Sequence, residues 1–364
     1  MNKARLTKLG PLVGARGLDC LALVPGANLY YLTGLDFHLG DRPTVAFFRP
    51  DQPPALVLPA LELPKVAGME TLELFPWTDE EGCDFAFRRA AIDCRLAGAR
   101  IGVEAFAIRY VETSLLRTHA LDCELVPADQ VVGELRMRKE PEEIARMRLA
   151  AEMAQGALTA ILDGLHPGMT ERDIASRLKL QIMTLGADSF FQPIVSGGPN
   201  AANPHASPGD RPLQSGDFLL FDWGAYADGY TSDITRTFPI GEMEPEMRQV
   251  YQVVRQANAA GRAAVRPGAT CSEVDAAARR VIEQAGYGCF FTHRTGHGLG
   301  LEVHEPPYIV AGNKQVLEVG MTFTIEPGIY LPGRNGVRIE DYVVVTVDGC
   351  ESLTTMSRDW SPLA

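Results

Sequence analysis

The residues best suited to chemistry in this 364-residue chain are acids and histidines set in short β-rich segments. The segment "GDFLLFDWGAYADGYTSDITRTFPIG" has two β-rich arms flanking Asp228-Gly229, the strongest short turn signal, and so reads as a hairpin. A two-residue turn pairs residue 227 with 230. Counting outward, Asp222 then faces Thr235 and Asp233 faces Gly224. The two aspartates become diagonal neighbours on one face. Carboxylates held this way repel unless a cation lies between them, and can bridge metal ions ~3.5–4 Å apart. A three-residue turn would put them on opposite faces, and an edge hairpin with two solvated aspartates is the plainer alternative.

A second hairpin is predicted at "MTFTIEPGIYLPGRNGVRIEDYVVVT", where Glu326 ends one apolar strand and Glu340 sits inside another. A glutamate in an apolar strand is expensive to bury without a partner, which a metal or a salt bridge to Arg334 or Arg338 would supply. Between the two hairpins, "HRTGHGLGLEVHE" places His293, His297 and His304 among glycines. Its "LGLEVH" reads as a strand with Leu301 and Val303 on one face and Glu302 and His304 on the other. A lone histidine is usually structural. Two diagonal aspartates, two strand glutamates and a glycine-flanked histidine together make an oxygen/nitrogen ligand set for a pair of divalent cations.

The same segments resemble the proline-specific metallopeptidases, the prolidase and aminopeptidase P group of pita-bread enzymes. "HRTGHGLGLEVHE" fits that family's signature, and "NAANPH", "DWGAYADGYTSDITRTF", "IEPGIY" and "GVRIED" match its other blocks in the family's order. The resemblance implies metal ligands Asp222, Asp233, His297, Glu326 and Glu340, holding two divalent ions per subunit, with Mn, Co or Zn all suited to the donors. It implies Glu326 as general base, with His205 and His304 lining the substrate site and stabilising the reacting carbonyl or carrying protons. Arg338 matches an arginine that orients a carboxylate ligand, and it is also a candidate contact to substrate. His293 matches a loosely constrained position and reads as structural or as a rim residue.

By this resemblance the reaction is hydrolysis of an Xaa-Pro bond by a metal-bridging hydroxide, without a nucleophilic side chain. No G-x-S-x-G is present, and no cysteine has a neighbouring basic setting. A dipeptide substrate is expected, with action on longer peptides, as by aminopeptidase P, the alternative. Some dipeptidases of the group carry an arginine just after the second histidine's "HExP", where this chain has Tyr308. Arg294, Arg334 and Arg338 are the remaining candidates for the substrate carboxylate. Creatinase-type amidinohydrolases and non-catalytic pita-bread proteins usually lack the full carboxylate set; methionine aminopeptidases have it but typically lack a preceding domain of this kind.

These residues need elements to hold them. Residues 1–130 alternate strand candidates ("LDCLALVP", "PTVAFFRP", "PALVLPA", "TLELFPW", "RIGVEAF", "DCELVP") with helical stretches such as "DFAFRRAAIDCRLAG" and "YVETSLLRTHAL". That is an α/β domain, and it lacks a G-x-G-x-x-G nucleotide fingerprint. From about 133 a long amphipathic helix begins, with Pro141 in its first turn and a buried stripe of Ile144, Met147, Ala151, Ala154, Leu158 and Ile161. Three more helices follow, the last with Ser272 available as its cap. Residues 131–364 are therefore read as an α+β domain. By resemblance it is the pita-bread catalytic domain, preceded by a smaller creatinase-type α/β domain that serves dimerisation and the active-site rim. "GLDFHLGDRP", residues 34–43, is the candidate loop by which His38 and Asp41 of a homodimer reach the neighbouring subunit's site.

Composition narrows the partners. With 46 acidic against 34 basic residues and a net charge of −12, the surface disfavours nucleic acid and anionic membranes. The densest basic run, "RMRKEPEEIARMR", is interleaved with glutamates and reads as a helix surface. No window approaches the uninterrupted apolar length of a membrane span, and the N-terminal stretch lacks a signal-peptide pattern. Seven scattered cysteines without C-x-x-C spacing fit thiols in a reducing cytoplasm.

Overall fold

The computed structural model describes residues 1–363. The chain divides into two compact units, Met1–Arg136 and Met137–Ala364. In the first, all six predicted strands form: β1 (Cys20–Leu23), β2 (Val45–Phe48), β3 (Ala55–Pro59), β4 (Glu73–Trp77), β5 (Arg100–Val103) and β6 (Glu124–Pro127). They make one sheet in the order β4-β3-β2-β1-β5-β6. β2 pairs antiparallel with both neighbours, a short turn joining it to β3 and a longer connection through residues 24–44 joining it to β1, while β5 and β6 run parallel to β1. The helices α1 (Lys3–Ala15) and α2 (Ala27–Thr33) flank β1 in sequence. α3 (Asp84–Asp93) and α4 (Tyr110–His119) lie in the two predicted helical stretches and supply Phe87, Ala90 and Leu116 to a core with Val45, Phe47, Val57 and Ile101.

The long helix predicted from residue 133 is interrupted. A short α5 (Asp129–Met137) ends, and α6 (Pro141–Leu162) starts afresh at Glu140. Glu140 and Glu143 form a reciprocal cap there, and Pro141, lacking an N–H to donate, suits the first turn. The expected stripe holds: Met147, Ala151, Ala154, Leu158 and Ile161 are buried, with Ile144 packed beside them. α7 (Glu171–Thr184), α8 (Pro245–Ala264) and α9 (Cys271–Gln284) follow. The cap of α9 is Thr270 and not Ser272: Thr270 and Glu273 satisfy each other's backbone N–H groups, and Ser272, inside the helix, accepts from Gly312 instead. Among the described residues no helix is long and apolar enough to cross a membrane.

Two strand systems lie under these helices. The first comprises β7 (Ile194–Gly197), β8 (Phe218–Trp223), β9 (Tyr226–Ala227), β10 (Tyr230–Thr231) and β11 (Ile234–Pro239). Asp228 and Gly229 both have positive φ, the two-residue turn expected of Asp-Gly, and the pairs Tyr230↔Ala227 and Thr235↔Asp222 show the register that turn dictates. The second system comprises β12 (Gly296–Gly298), β13 (Glu305–Ile309), β14 (Thr322–Ile325), β15 (Gly328–Leu331), β16 (Asn335–Arg338), β17 (Asp341–Val345) and β18 (Cys350–Ser352). β14 pairs with β17 and β15 with β16 in one continuous register, broken only at Glu326-Pro327 and Ile339-Glu340.

Strand alternation then assigns the faces. Leu219, Phe221, Trp223 and Ile234 pack with Leu158, Ile174 and Leu178 of α6 and α7. Phe323, Ile325, Val343 and Val345 pack with Val274, and Val337 and Ile339 with Val250 and Val254 of α8. The odd-numbered positions of β8, β14, β16 and β17, together with Ile234 and Phe238 of β11, face the helices. Asp222, Thr324, Glu326, Arg338 and Glu340 are left for the opposite face.

The expected "LGLEVH" strand does not form. Gly296–Gly298 and Glu305–Ile309 are the arms of a hairpin, and residues 299–304 are its connecting turn. The glycines explain why. A Cβ on Gly298 would stand 2.2 Å from the Pro306 carbonyl oxygen, and one on Gly300 would stand 2.7 Å from Oε1 of Glu305. The chain folds back on itself too tightly for an extended run.

Candidate active site

The acids gather where the ladders break. Continuing the β14–β17 register across its gap places Glu326 opposite Glu340, just as Asp233 lies opposite Gly224 in the first hairpin. Gly224 is a position of close approach: a Cβ there would be 2.0 Å from the Ser232 carbonyl oxygen. An isolated bridge between Thr235 and Glu340 joins the two systems. Across it the Thr235 hydroxyl donates to Glu340 Oε2 at 2.6 Å.

His297 enters from β12. Its backbone N–H donates to Thr324 Oγ1 at 3.0 Å, and its Nδ1 lies 3.1 Å from the Gly298 carbonyl, a contact that only an N–H can satisfy. In the neutral ring the Nε2 lone pair therefore faces the acids, 3.2 Å from Glu326 Oε1 and 3.7 Å from Asp233 Oδ2. Ligand atoms of Asp233, His297 and Glu340 all fall within 4.8 Å of one another. Asp222 joins through Arg338, whose Nη2 donates to Asp222 Oδ2 at 2.5 Å while its Nε donates to Thr235 Oγ1 at 3.0 Å. All five predicted ligands thus belong to one cluster.

The electrostatics of that cluster call for positive charge. Burial first, then repulsion from neighbouring carboxylates, holds Asp233 and Glu340 well above the usual carboxylate range, and burial raises Asp222 against the pull of Arg338. Burial acts on Glu326 as well, but the hydrogen bond to His297 and the positive surroundings, Arg338 among them, outweigh it and hold it at about 2. Asp233 Oδ1 is buried without a hydrogen-bond partner among the described residues. An orphaned carboxylate oxygen beside an imidazole lone pair and a second buried carboxylate fits a divalent cation, which would satisfy all three at once.

Arg338 is 2% exposed and committed. Besides Asp222 and Thr235 it donates to the Pro204 carbonyl at 3.3 Å and the Tyr330 hydroxyl at 2.9 Å. The sequence reading also offered Arg338 to substrate; all three of its nitrogens are occupied by protein acceptors. Its bond to Pro204 fixes the residue before His205, which is exposed on the turn after a 3₁₀ segment at Gly198–Ala202. His304 is exposed at the end of the 299–304 turn, its ring centroid 4.2 Å from that of His297. Desolvation and the positive fields of His297 and Arg294 lower it to about 4, so it is neutral at pH 7.

Three residues went unnoticed in the sequence. Thr235 and Thr324 orient Glu340 and Glu326, the latter through a bond to Oε1 at 3.1 Å. Thr235 was findable, since the Asp-Gly turn puts it opposite Asp222, and Thr324 lies two residues before Glu326 on the same strand face. Tyr330 accepts from Arg338 and lies 2.8 Å from His293 Nε2. His293 Nδ1 contacts the Arg294 carbonyl at 2.7 Å and so carries the ring proton, leaving Nε2 to accept from Tyr330. His293 is a buttress for Tyr330. All seven cysteines are free thiols; burial pushes Cys94 and Cys271 up to about 11 and raises Cys20 further, so these three are not activated nucleophiles.

Comparison with known proteins follows the same division. Residues 145–347 match the model of metallopeptidase family M24, and residues 5–138 match the creatinase/prolidase N-terminal domain. The chain is 39% identical over 354 residues to a probable dipeptidase PepE of Mycobacterium tuberculosis, covering 96% of this chain and 93% of that one. It is 45% identical over 230 residues to an Xaa-Pro dipeptidase of Lactobacillus helveticus, covering 63% of this chain and 62% of the relative. A crystal structure of prolidase from Thermococcus sibiricus superposes with a TM-score of 0.93 at 36% identity, covering 100% of this chain and 99% of that one.

Proposed function

The chain belongs to metallopeptidase family M24, and on that premise we propose that it is an Xaa-Pro dipeptidase, hydrolysing the bond between an N-terminal residue and proline. The observation that carries this reading is the convergence of Asp233, His297 and Glu340 within 4.8 Å, in a chain whose relatives are named for that activity.

In this reading Asp222, Asp233, His297, Glu326 and Glu340 hold two divalent ions, and Mn, Co and Zn all suit the donors. When bound, such ions supply Lewis acidity and make a water acidic enough to attack near neutral pH. The chain's own residues do the rest. Arg338 and Thr235 lock Asp222 and Glu340 into place, so the site does not reorganise when charge develops. Thr324 and His297 both contact Glu326 Oε1, leaving Oε2 as the oxygen that accepts a proton. His304, neutral at pH 7, donates an N–H to the reacting carbonyl oxygen, and His205 faces the same substrate from the Arg338-tethered turn. The proposal includes a homodimer whose loop at 34–43, in which His38 and Asp41 are exposed, reaches the neighbouring site through His38. A His38→Ala variant of full activity in a proven dimer removes that part.

The test is hydrolysis of Ala-Pro beside Ala-Pro-Pro, with metal content measured on the same preparation. Ala-Pro cleavage by protein carrying close to two ions per chain is expected. Cleavage of the tripeptide alone would make the enzyme an aminopeptidase, and neither metal nor cleavage would leave a binding protein.

A further inference from the structure

A dipeptidase must recognise a free carboxylate on the residue after the scissile bond, and the structure narrows the arginines able to do so. Arg334 donates to both Glu244 and Glu246 at 2.8 Å. Arg338 is spent on Asp222, Thr235, Tyr330 and Pro204. Arg294 differs from both: its guanidinium makes no hydrogen bond or ion pair among the described residues, although the side chain is only partly exposed. It lies instead 4.7 Å over the ring of Tyr308.

That placement is on the catalytic face. Tyr308 is the registered partner of His297 across β12 and β13, and directly paired residues of antiparallel strands project to the same side. Tyr308 is 38% exposed and Arg294 partly so, so the pair is open to solvent. Stacking on an aromatic face holds a guanidinium flat while leaving its N–H edge open, the arrangement suited to bidentate capture of a carboxylate.

We propose that Arg294, braced by Tyr308, binds the α-carboxylate of the substrate's proline and thereby selects dipeptides over longer peptides. The proposal rests on the dipeptidase reading above. It differs from the pattern in which an arginine occupies the Tyr308 position: here the tyrosine is the brace and the cation comes from the segment just before β12.

The experiment compares kcat/KM for Ala-Pro with that for Ala-Pro-amide, which lacks the negative charge. Wild type should favour the free acid by at least ~10-fold, and Arg294→Gln should reduce that preference by ~10- to 100-fold, chiefly through KM for Ala-Pro, as loss of a charge-assisted hydrogen bond predicts. Arg294→Lys should keep part of the preference, Tyr308→Phe most of it and Tyr308→Ala less. Metal content and circular dichroism establish that each variant is folded and loaded. A folded, metal-replete Arg294→Gln enzyme with the wild-type preference overturns the proposal, as does a wild-type preference near one. If the wild type cleaves neither compound, the dipeptidase reading itself fails, a result distinct from either of those.

Discussion

Gly224 is where the first hairpin and the acid cluster depend most directly on one missing atom. A Cβ built there would lie 2.0 Å from the Ser232 carbonyl oxygen and 2.4 Å from a ring carbon of Phe191. Real Cβ contacts stay beyond 3.0 Å, so Gly224→Ala must push the two strands apart by about 1 Å. The obstructing atom is backbone, which cannot rotate away, and the residue after Ser232 is Asp233. Overpacking of this kind costs about 1–3 kcal/mol of stability. If Asp233 holds metal as proposed, moving its carboxylate by about 1 Å should lower turnover roughly 100-fold. The assay is kcat on Ala-Pro, with metal content by elemental analysis and the urea midpoint on the same protein. Gly14→Ala is the control: nothing lies within 4 Å of that site in α1, and alanine there should stabilise by about 0.5–1 kcal/mol. A Gly224→Ala enzyme with wild-type turnover and metal content would refute the reasoning, even if it were less stable, because the link from strand spacing to the acids would be broken.

Glu326→Ala should lose both metal and activity, whereas His304→Ala should lower turnover and spare metal content; equal metal loss in both would remove the distinction between ligand and helper. Asp341 is fully buried between Arg236 and Arg358, with Thr354 donating to it at 2.8 Å. Burial opposes its ionisation, but the two arginines overcome this and hold it at about 2. A depressed carboxylate contributes stability above its unfolded value near 4, and that contribution disappears as pH falls toward 2. Asp341→Asn should therefore destabilise at pH 7 by about 3–5 kcal/mol, read from urea midpoints, with the gap to wild type narrowing below pH 4. A gap independent of pH would show that the charge is not what matters.

Much of this site was legible in the chain. Asp228-Gly229 carries its own register, because a two-residue turn with both residues at positive φ fixes every pair outward from it, and Asp222 opposite Thr235 follows. The six strands of the first unit and the stripe of α6 were readable for a similar reason: a period of two or of 3.6 is a local property of the residues themselves. Where local signals misled, close packing had intervened. "LGLEVH" alternates like a strand, yet the Gly298 and Gly300 contacts turn it into the connection of a hairpin. Ser272 looked like a cap, yet Thr270, two residues earlier, completes the reciprocal pair with Glu273.

The sequence by itself determined which residue types are present, which face of its strand or helix each occupies, and the pairing near tight turns. Only the tertiary structure decided that Thr235 meets Glu340 across 105 residues, that Arg338 is committed to Asp222 across 116, and that Arg294 lies over the ring of Tyr308. Periodicity reports the direction of a side chain but not its partner. Partners at such separations are chosen by how whole sheets and helices pack, and that packing is what turns scattered acids into a site for cations.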